Sequence, residues 1–414
     1  MVPPHDEIRV SRVVFEYAAR IGQEQDPVLL LALIADMGRD LLGADRCSIW
    51  MVDPASGGLW TCAAHGVAPI RVPAGHGLVG TCVAANEIIL VNDARSDPRL
   101  SRDTGERTGY ETHSVLCMPL RGSSGRVIGA FQALNKPGGF SASDVNLLHL
   151  ACSYSASAIE TQALRKEAEQ AQFMRRELEI ARDVQARLFP HVLPAIEGIE
   201  YECECRPAKF VGGDYYDVIA MPGGRTCITL GDVSGKGIPA AVLMASIQAS
   251  IRVNMTRGAD SLARAIVALN ETVYSASTSE RYTTLFAAFL EPGCRRMIYV
   301  NCGQTAPLLR RHSGSVERLT RGGPPVGLLP GVAFEETAVD LDSGDLLVVF
   351  SDGVSEVNNP HGDIWNEEAL EATTAACAGC SASEAHRRIM GAAQDFAAGA
   401  EPSDDVTLAV YRAL

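Results

Sequence analysis

No apolar run in this sequence is long enough to cross a membrane as a helix. The longest, Val28–Ala35, holds eight residues, against the roughly 18–20 that a span needs. The opening Met1-Val2-Pro3-Pro4-His5-Asp6-Glu7 lacks the basic start and apolar core of a secretory leader. Both absences lead us to expect a cytoplasmic protein with no membrane partner. A basic stripe is missing too. The net charge is −14, which argues against a nucleic-acid surface. The 12 cysteines are scattered, and several (Cys47, Cys62, Cys117, Cys152, Cys227) lie inside apolar runs, where cysteine behaves as a small hydrophobe. Cys203-Glu204-Cys205 and Cys377-Ala378-Gly379-Cys380 are close pairs without a histidine or second pair at zinc spacing. Buried thiols are expected, not a zinc site.

What is present is ordinary globular composition, with 47% hydrophobic and 21% charged residues over 414 positions. That length suggests two or three domains. Residues 1–25 carry Val10, Val13, Val14, Tyr17 and Ala18 at helical spacing, as a leading helical extension. From Pro27 to Leu42 the apolar positions again follow a helix, which Gly43 ends. Strands are expected at 46–52, 58–64, 88–91, 114–120 and 127–134, with a short helix at 77–84 and a long one after Phe140.

That order, with Val91-Asn92-Asp93-Ala94, a strand ending in Asn135-Lys136, and Phe140 ahead of Asp144, resembles a GAF domain over residues 26–162. The resemblance implies a small sensor module with a central antiparallel sheet and helices. Cyclic-nucleotide-binding GAF domains carry an Asn-Lys…Phe-x-x-x-Asp-Glu signature. Asn135, Lys136, Phe140 and Asp144 match it, while Val145 replaces the final glutamate. These four are the candidate site for a small-molecule ligand; the alternative is that Asn135 and Asp144 only cap the turn and helix.

Residues 163–190 read as a linker helix. Thr161–Leu188 has no glycine or proline. Leu164, Ala171 and Leu178 recur at seven, as do Met174, Ala181 and Leu188, which is a coiled-coil seam. A homodimer through this helix is expected, against the alternative of one helix docked on its own chain. Alanine at two of these six seam positions makes it weak enough to change packing with a sensor's state. Pro190 ends the helix.

Residues 191–414 alternate short strands with two pairs of helices, which suggests sheets between helical layers. Two acidic residues 18 positions apart, Asp214 and Asp232, sit among glycines at strand ends. Asp352 in Phe350-Ser351-Asp352-Gly353 and the pair Asp404-Asp405 have the same character. A carboxylate beside glycine suits a hard cation, because the bare backbone lets the ion and a phosphate come close. Four like charges in one place repel, and a dication is the physical remedy. A pair of Mg2+ or Mn2+ ions makes water nucleophilic near neutral pH and clamps a phosphoryl oxygen.

The order V-G-G-D-Y-Y-D, G-D-V-S-G-K-G, N-x-G-x-x-x-P, G-G-x-P-x-G-L, F-S-D-G-V-x-E and D-D-x-T resembles the PPM-type (type 2C) serine/threonine phosphatases of the SpoIIE/RsbU branch. The stretch Ala181–Pro190 resembles the regulatory helix that precedes the core in that branch. The resemblance covers 181–414 and implies an α-β-β-α sandwich holding two Mn2+ or Mg2+ ions. It implies that Asp214, Asp232, Asp352 and Asp404 are catalytic metal ligands, with the Val233 carbonyl as a backbone ligand. Either Asp404 or Asp405 coordinates directly, with Asp404 favoured. Asp217, Lys236 and Asn301 are candidates for supporting roles around the metals. Ser234 and Gln304 stand where other members carry histidine, and no phosphate-binding arginine is found in these motifs, so no side-chain general acid is assigned. The implied substrate is a phosphoserine or phosphothreonine on a small anti-anti-sigma-type protein. A non-catalytic phosphoprotein-binding module and a dinuclear hydrolase of small phosphoesters are the alternatives.

Overall fold

Asp26 accepts hydrogen bonds from the amides of Val28 and Leu29, and Gly43 closes the other end at φ 65°. These caps fix α2 (Pro27–Leu42), whose buried face runs Leu30, Leu31, Ile34, Met37 and Leu41. The computed structural model describes residues 4–64, 70–100, 110–190, 192–276, 281–293 and 296–414. The chain divides into two compact units, 1–173 and 174–414. The division falls inside the helix expected as a linker.

The N-terminal unit has one antiparallel six-stranded sheet in the order β3-β2-β1-β6-β5-β4. Its strands are β1 (Arg46–Val52), β2 (Leu59–Ala64), β3 (Ile70–Val72), β4 (Ile89–Val91), β5 (Val115–Arg121) and β6 (Val127–Leu134). The helix α3 (Gly77–Ala85) packs on one side with Leu78, Val79 and Cys82 buried. On the other side lie α1 (Pro4–Gln23), α2 and the start of α4 (Ala142–Ala186). The leading helix is no loose extension. Tyr17 and Ile21 are buried in the same core as α2, and the Tyr154 hydroxyl of α4 donates to the Ala18 carbonyl. α4 is a single helix of 45 residues that runs through both units. Its seam residues Leu164 and Met174 are exposed in the single chain.

The C-terminal unit stacks two sheets. One has the order β14-β11-β10-β9-β8, with β15 also on β11. It comprises β8 (Tyr215–Ala220), β9 (Thr226–Val233), β10 (Thr283–Leu290), β11 (Arg296–Cys302), β14 (Gly322–Gly323) and β15 (Thr337–Asp340). The other runs β13-β12-β16-β17-β7. It comprises β7 (Ile199–Arg206), β12 (Leu308–Arg310), β13 (Val316–Arg318), β16 (Leu346–Phe350) and β17 (Val406–Ala413). Phe286, Tyr299, Leu347, Val349 and Tyr411 fill the space between the sheets. α5 (Ile238–Thr256) and α6 (Leu262–Ala276) cover the first sheet, and α8 (Asn366–Ala375) and α9 (Ala382–Ala397) the second. This is the expected α-β-β-α sandwich. α5 is long and apolar enough to cross a membrane. Its residues Leu243, Met244, Ile247 and Ile251 are nevertheless buried in the core, as in a helix that lines a globular domain.

Candidate active site

Strand alternation decides which acidic side chains meet. Asp214 opens β8, and Asp232 lies near the end of the neighbouring β9. Asp352 follows β16 and opens the one-turn α7 (Asp352–Ser355). Asp404 and Asp405 precede β17. Two stacked sheets thus deliver these carboxylates from four strand ends to one place.

The residue that ties the ends together is Asp405. Its carboxylate accepts from the amides of Ala208 (2.8 Å) and Gly213 (2.7 Å), and more distantly Asp214 (3.5 Å). Its carbonyl accepts from the Ser351 hydroxyl (3.2 Å), whose oxygen in turn accepts from the Thr407 amide (3.0 Å). The glycines are needed for this closeness. A Cβ on Gly212 would stand 2.1 Å from a carboxylate oxygen of Asp405, and one on Gly353 would stand 2.0 Å from its carbonyl oxygen. With its oxygens committed to backbone amides, Asp405 sets the loop in place, while Asp404 accepts from the Asp405 amide (2.9 Å) and from Lys236 (2.7 Å).

Asp214 is almost fully buried, and one of its oxygens accepts from the Thr407 hydroxyl (2.5 Å). Burial and then the Asp232 charge push its carboxyl well above the ordinary range. Burial, then Asp352 and Asp404, push Asp232 up to about 7. Asp352 is raised by burial and by Asp404. The Val233 carbonyl belongs to the same place, since a Cβ on Gly213 would lie 2.8 Å from it. Lys236 bonds Asp404 Oδ2 (2.7 Å) and the Ser403 carbonyl (2.7 Å), and that carboxylate holds its amine above the usual range.

Two expected supporting residues lie elsewhere. Asp217 is three positions beyond Asp214 and so faces the other side of β8, under α5. Arg252 grips both its oxygens (2.6 and 2.8 Å), and the Tyr215 hydroxyl donates to it (2.9 Å). Asp217 and Arg252 form an ion pair beneath α5. Asn301 closes the turn after β11: its side chain accepts from the Gln304 amide (2.8 Å) and donates to the Gln304 (3.1 Å) and Leu319 (2.9 Å) carbonyls. Gln304 then bridges the sheets, accepting from the Thr284 hydroxyl (2.5 Å) and donating to the Phe350 carbonyl (2.9 Å).

Gln185, at the end of α4, has a role the motif alone did not reveal. Its buried amide donates to the Gly212 carbonyl (2.6 Å) and accepts from the Gly212 amide (3.0 Å). Gln248 of α5 holds the Leu188 carbonyl (3.0 Å), and Phe189 packs on Tyr216 at 5.4 Å between ring centroids. The helix end is thus fastened beside Asp214.

The GAF signature residues behave differently. Asn135, at φ 54°, accepts from the amides of His113 (2.7 Å) and Ser114 (3.2 Å). Lys136 bonds Asp144, which also accepts from the Ser141 amide (2.8 Å) and hydroxyl (2.9 Å). The Phe140 backbone is held by Asn92, and its ring is buried. These groups satisfy one another as a turn and helix cap.

The oxygen-only donor set suits Mg2+ or Mn2+. Among the described residues no three Asp, Glu, His or Cys side chains enclose an ion-sized space as placed; Asp404 is turned to Lys236 instead. The chemistry of the donor set, carboxylates and one backbone carbonyl, fits such ions. Three carboxyls raised by burial and by one another are a deficit that a dication would relieve.

The stacked sheets and this acidic edge define a PPM-type phosphatase fold. Residues 222–414 match the family described as Stage II sporulation protein E (SpoIIE), and residues 26–159 match the GAF domain family. The chain therefore joins a GAF domain to a SpoIIE-family serine/threonine phosphatase domain. Among curated proteins it is similar to Protein IcfG of Synechocystis sp., 25% identical over 228 residues. It is also similar to the dual 3′,5′-cyclic-AMP and -GMP phosphodiesterase 11A of Takifugu rubripes, 27% identical over 210 residues. The aligned stretches are 49% and 42% of this chain, but only 36% and 23% of those relatives. Among solved structures, the SiaA-PP2C domain of Pseudomonas aeruginosa superposes with a TM-score of 0.52 at 16% identity. That match covers 59% of this chain and 99% of that one, and shows the shared fold.

Proposed function

We propose that the protein removes phosphate from serine or threonine of a small anti-anti-sigma-type regulatory protein in a metal-dependent reaction. The observation that carries this reading is the gathering of Asp214, Asp232, Asp352 and Asp404 at four strand ends, laced together by Asp405. Asp214 and Asp232, with the Val233 carbonyl, would hold the ion pair, Mn2+ or Mg2+, and Asp352 and Asp404 one ion each. When bound, such ions supply a nucleophilic water and neutralise charge on the phosphoryl group. The chain's own residues orient this site. Thr407 fixes the rotamer of Asp214, Asp405 fixes the glycine loop, and Gln304 ties β10, the neighbour of the strand that carries Asp232, to β16, which runs up to Asp352. The carboxamide of Gln304 has no proton to give near neutral pH, so solvent protonates the leaving serine or threonine oxygen. Lys236 places a cation at the rim, beside Asp404.

The GAF unit is the sensor in this reading, open to a small-molecule signal, and α4 carries its state to the phosphatase unit. Support comes from the two bonds of Gln185 to Gly212, one residue from the loop that Asp405 holds. The exposed seam of α4, with Leu164 and Met174 uncovered, supports a homodimer through that helix.

The full-length protein with Mn2+ is expected to release phosphate from p-nitrophenyl phosphate and from a phosphoserine protein. Asp232→Ala and Asp352→Ala should each lower the rate by about 100-fold or more, since a bound ion supplies several kcal/mol. Unchanged activity in both variants would refute the site.

A further inference from the structure

A second concavity begins where the carboxylate cluster ends. α9 stops at Ala398, which sits at φ 46°, and Gly399 follows at φ 87°. The chain therefore reverses and returns to Asp404. Between the last turns of α9 and this returning loop lies a cavity of about 260 Å3. Met390, Ala393 and Ala397 form its helical wall, and Val357 and Pro402 face it from the loops. Gly353 and Asp404 line it as well, so the cavity and the acidic site share a wall. Pro402 and Ser403 are exposed, and the cavity opens to solvent there.

Size and position point to one class of occupant. Small-molecule and cofactor sites run to about 300–1,000 Å3, so this cavity suits one large side chain better than a whole ligand. Its lining is mainly apolar, whereas its neighbour is a cluster of carboxylates. An occupant that reaches both must carry a phosphate and, close to it, an apolar side chain. A phosphorylated polypeptide supplies both, on side chains of neighbouring residues.

We propose that this groove is a substrate subsite, receiving an apolar side chain one to three residues from the phosphoserine or phosphothreonine. The proposal rests on the phosphatase reading above and adds to its phosphoprotein substrate an apolar flank beside the phosphorylated residue. The small side chains of Ala393 and Ala397 leave the room that the flank fills.

The test uses full-length protein with Mn2+ and nine-residue phosphoserine peptides. Their flanks are alanine, with leucine placed in turn at each of the three positions on either side. p-Nitrophenyl phosphate serves as the substrate without a flank. Leucine at one position should raise kcat/KM about tenfold, the discrimination a snug apolar pocket gives. Ala393→Trp should abolish that preference while p-nitrophenyl phosphate hydrolysis stays within about twofold. Because Ala393 is buried, Ala397→Trp at the more open end is run beside it, with the same expectation. Should a tryptophan variant lose p-nitrophenyl phosphate hydrolysis too, its fold is damaged, and the wild-type peptide preference decides alone. Hydrolysis of p-nitrophenyl phosphate without a leucine preference at any position overturns the subsite only. Release of phosphate from neither substrate overturns the phosphatase reading, and the subsite with it.

Discussion

In the GAF domain, Lys136, Asp144 and Ser141 pair among themselves; in the phosphatase domain, Asp214, Asp232 and Asp352 chiefly face other carboxylates. Both clusters are carried by motifs that read as binding signatures. In the first, each charge and lone pair is answered from within the chain, so the motif shapes a turn. In the second, burial and like charges leave a negative surplus. A signature thus points to a ligand when its charges are unanswered, and to structure when they are matched.

Removing charge should therefore act with opposite sign in the two places. The largest effect is expected for Asp144→Ala, which strands the partly buried Lys136 and the Ser141 amide. It should cost the GAF domain about 2–3 kcal/mol by calorimetry and leave Mn2+ binding at the acidic site untouched. A melting temperature equal to wild type would break the comparison. Next is Asp232→Asn, measured in EDTA. The folded carboxyl sits near 7, above the ordinary 3.8, so ionisation is disfavoured in the fold and metal-free stability falls as pH rises from about 4 through 7. Removing the charge should raise the transition near neutral pH by about 2–4 °C, and with excess Mn2+ the order should reverse, because only wild type gains from binding. A lower melting temperature in EDTA would mean that the charges are matched after all. The smallest effect belongs to Lys236→Met. Its half-exposed pair should change stability by less than about 0.5 kcal/mol, while Mn2+ binds more tightly by titration calorimetry as the competing cation is lost. Weaker binding would make the lysine a support of the site.

Much of this arrangement was legible in the sequence because it is local. The strands Arg46–Val52 and Val127–Leu134 have the expected bounds, since apolar spacing and turn residues mark both. The short β3, β14 and α7 carry too few residues to show a period. Asp217 could have been read correctly: residues three apart on a strand point to opposite faces. Its partner Arg252, 35 positions away, could not have been named. Asp404 and Asp405 are chemically alike neighbours, and only the fold shows that Asp405 is held by the amides of Ala208 and Gly213 while Asp404 pairs with Lys236. The grip of Gln185 on Gly212 is another long-range fact, hidden in a motif whose outline was visible.

Asp405 has one more consequence, for the order of events when the chain folds. Its bonds to Ala208 and Gly213 close loops of 197 and 192 residues, and the Thr407 bond to Asp214 closes one of 193. Closures that long carry a heavy entropic cost until the sheets on both sides have formed. A chain halted with one sheet complete could own most of its helices and still have no acidic edge. The part of the molecule with the most chemistry to offer is thus also the part that exists last.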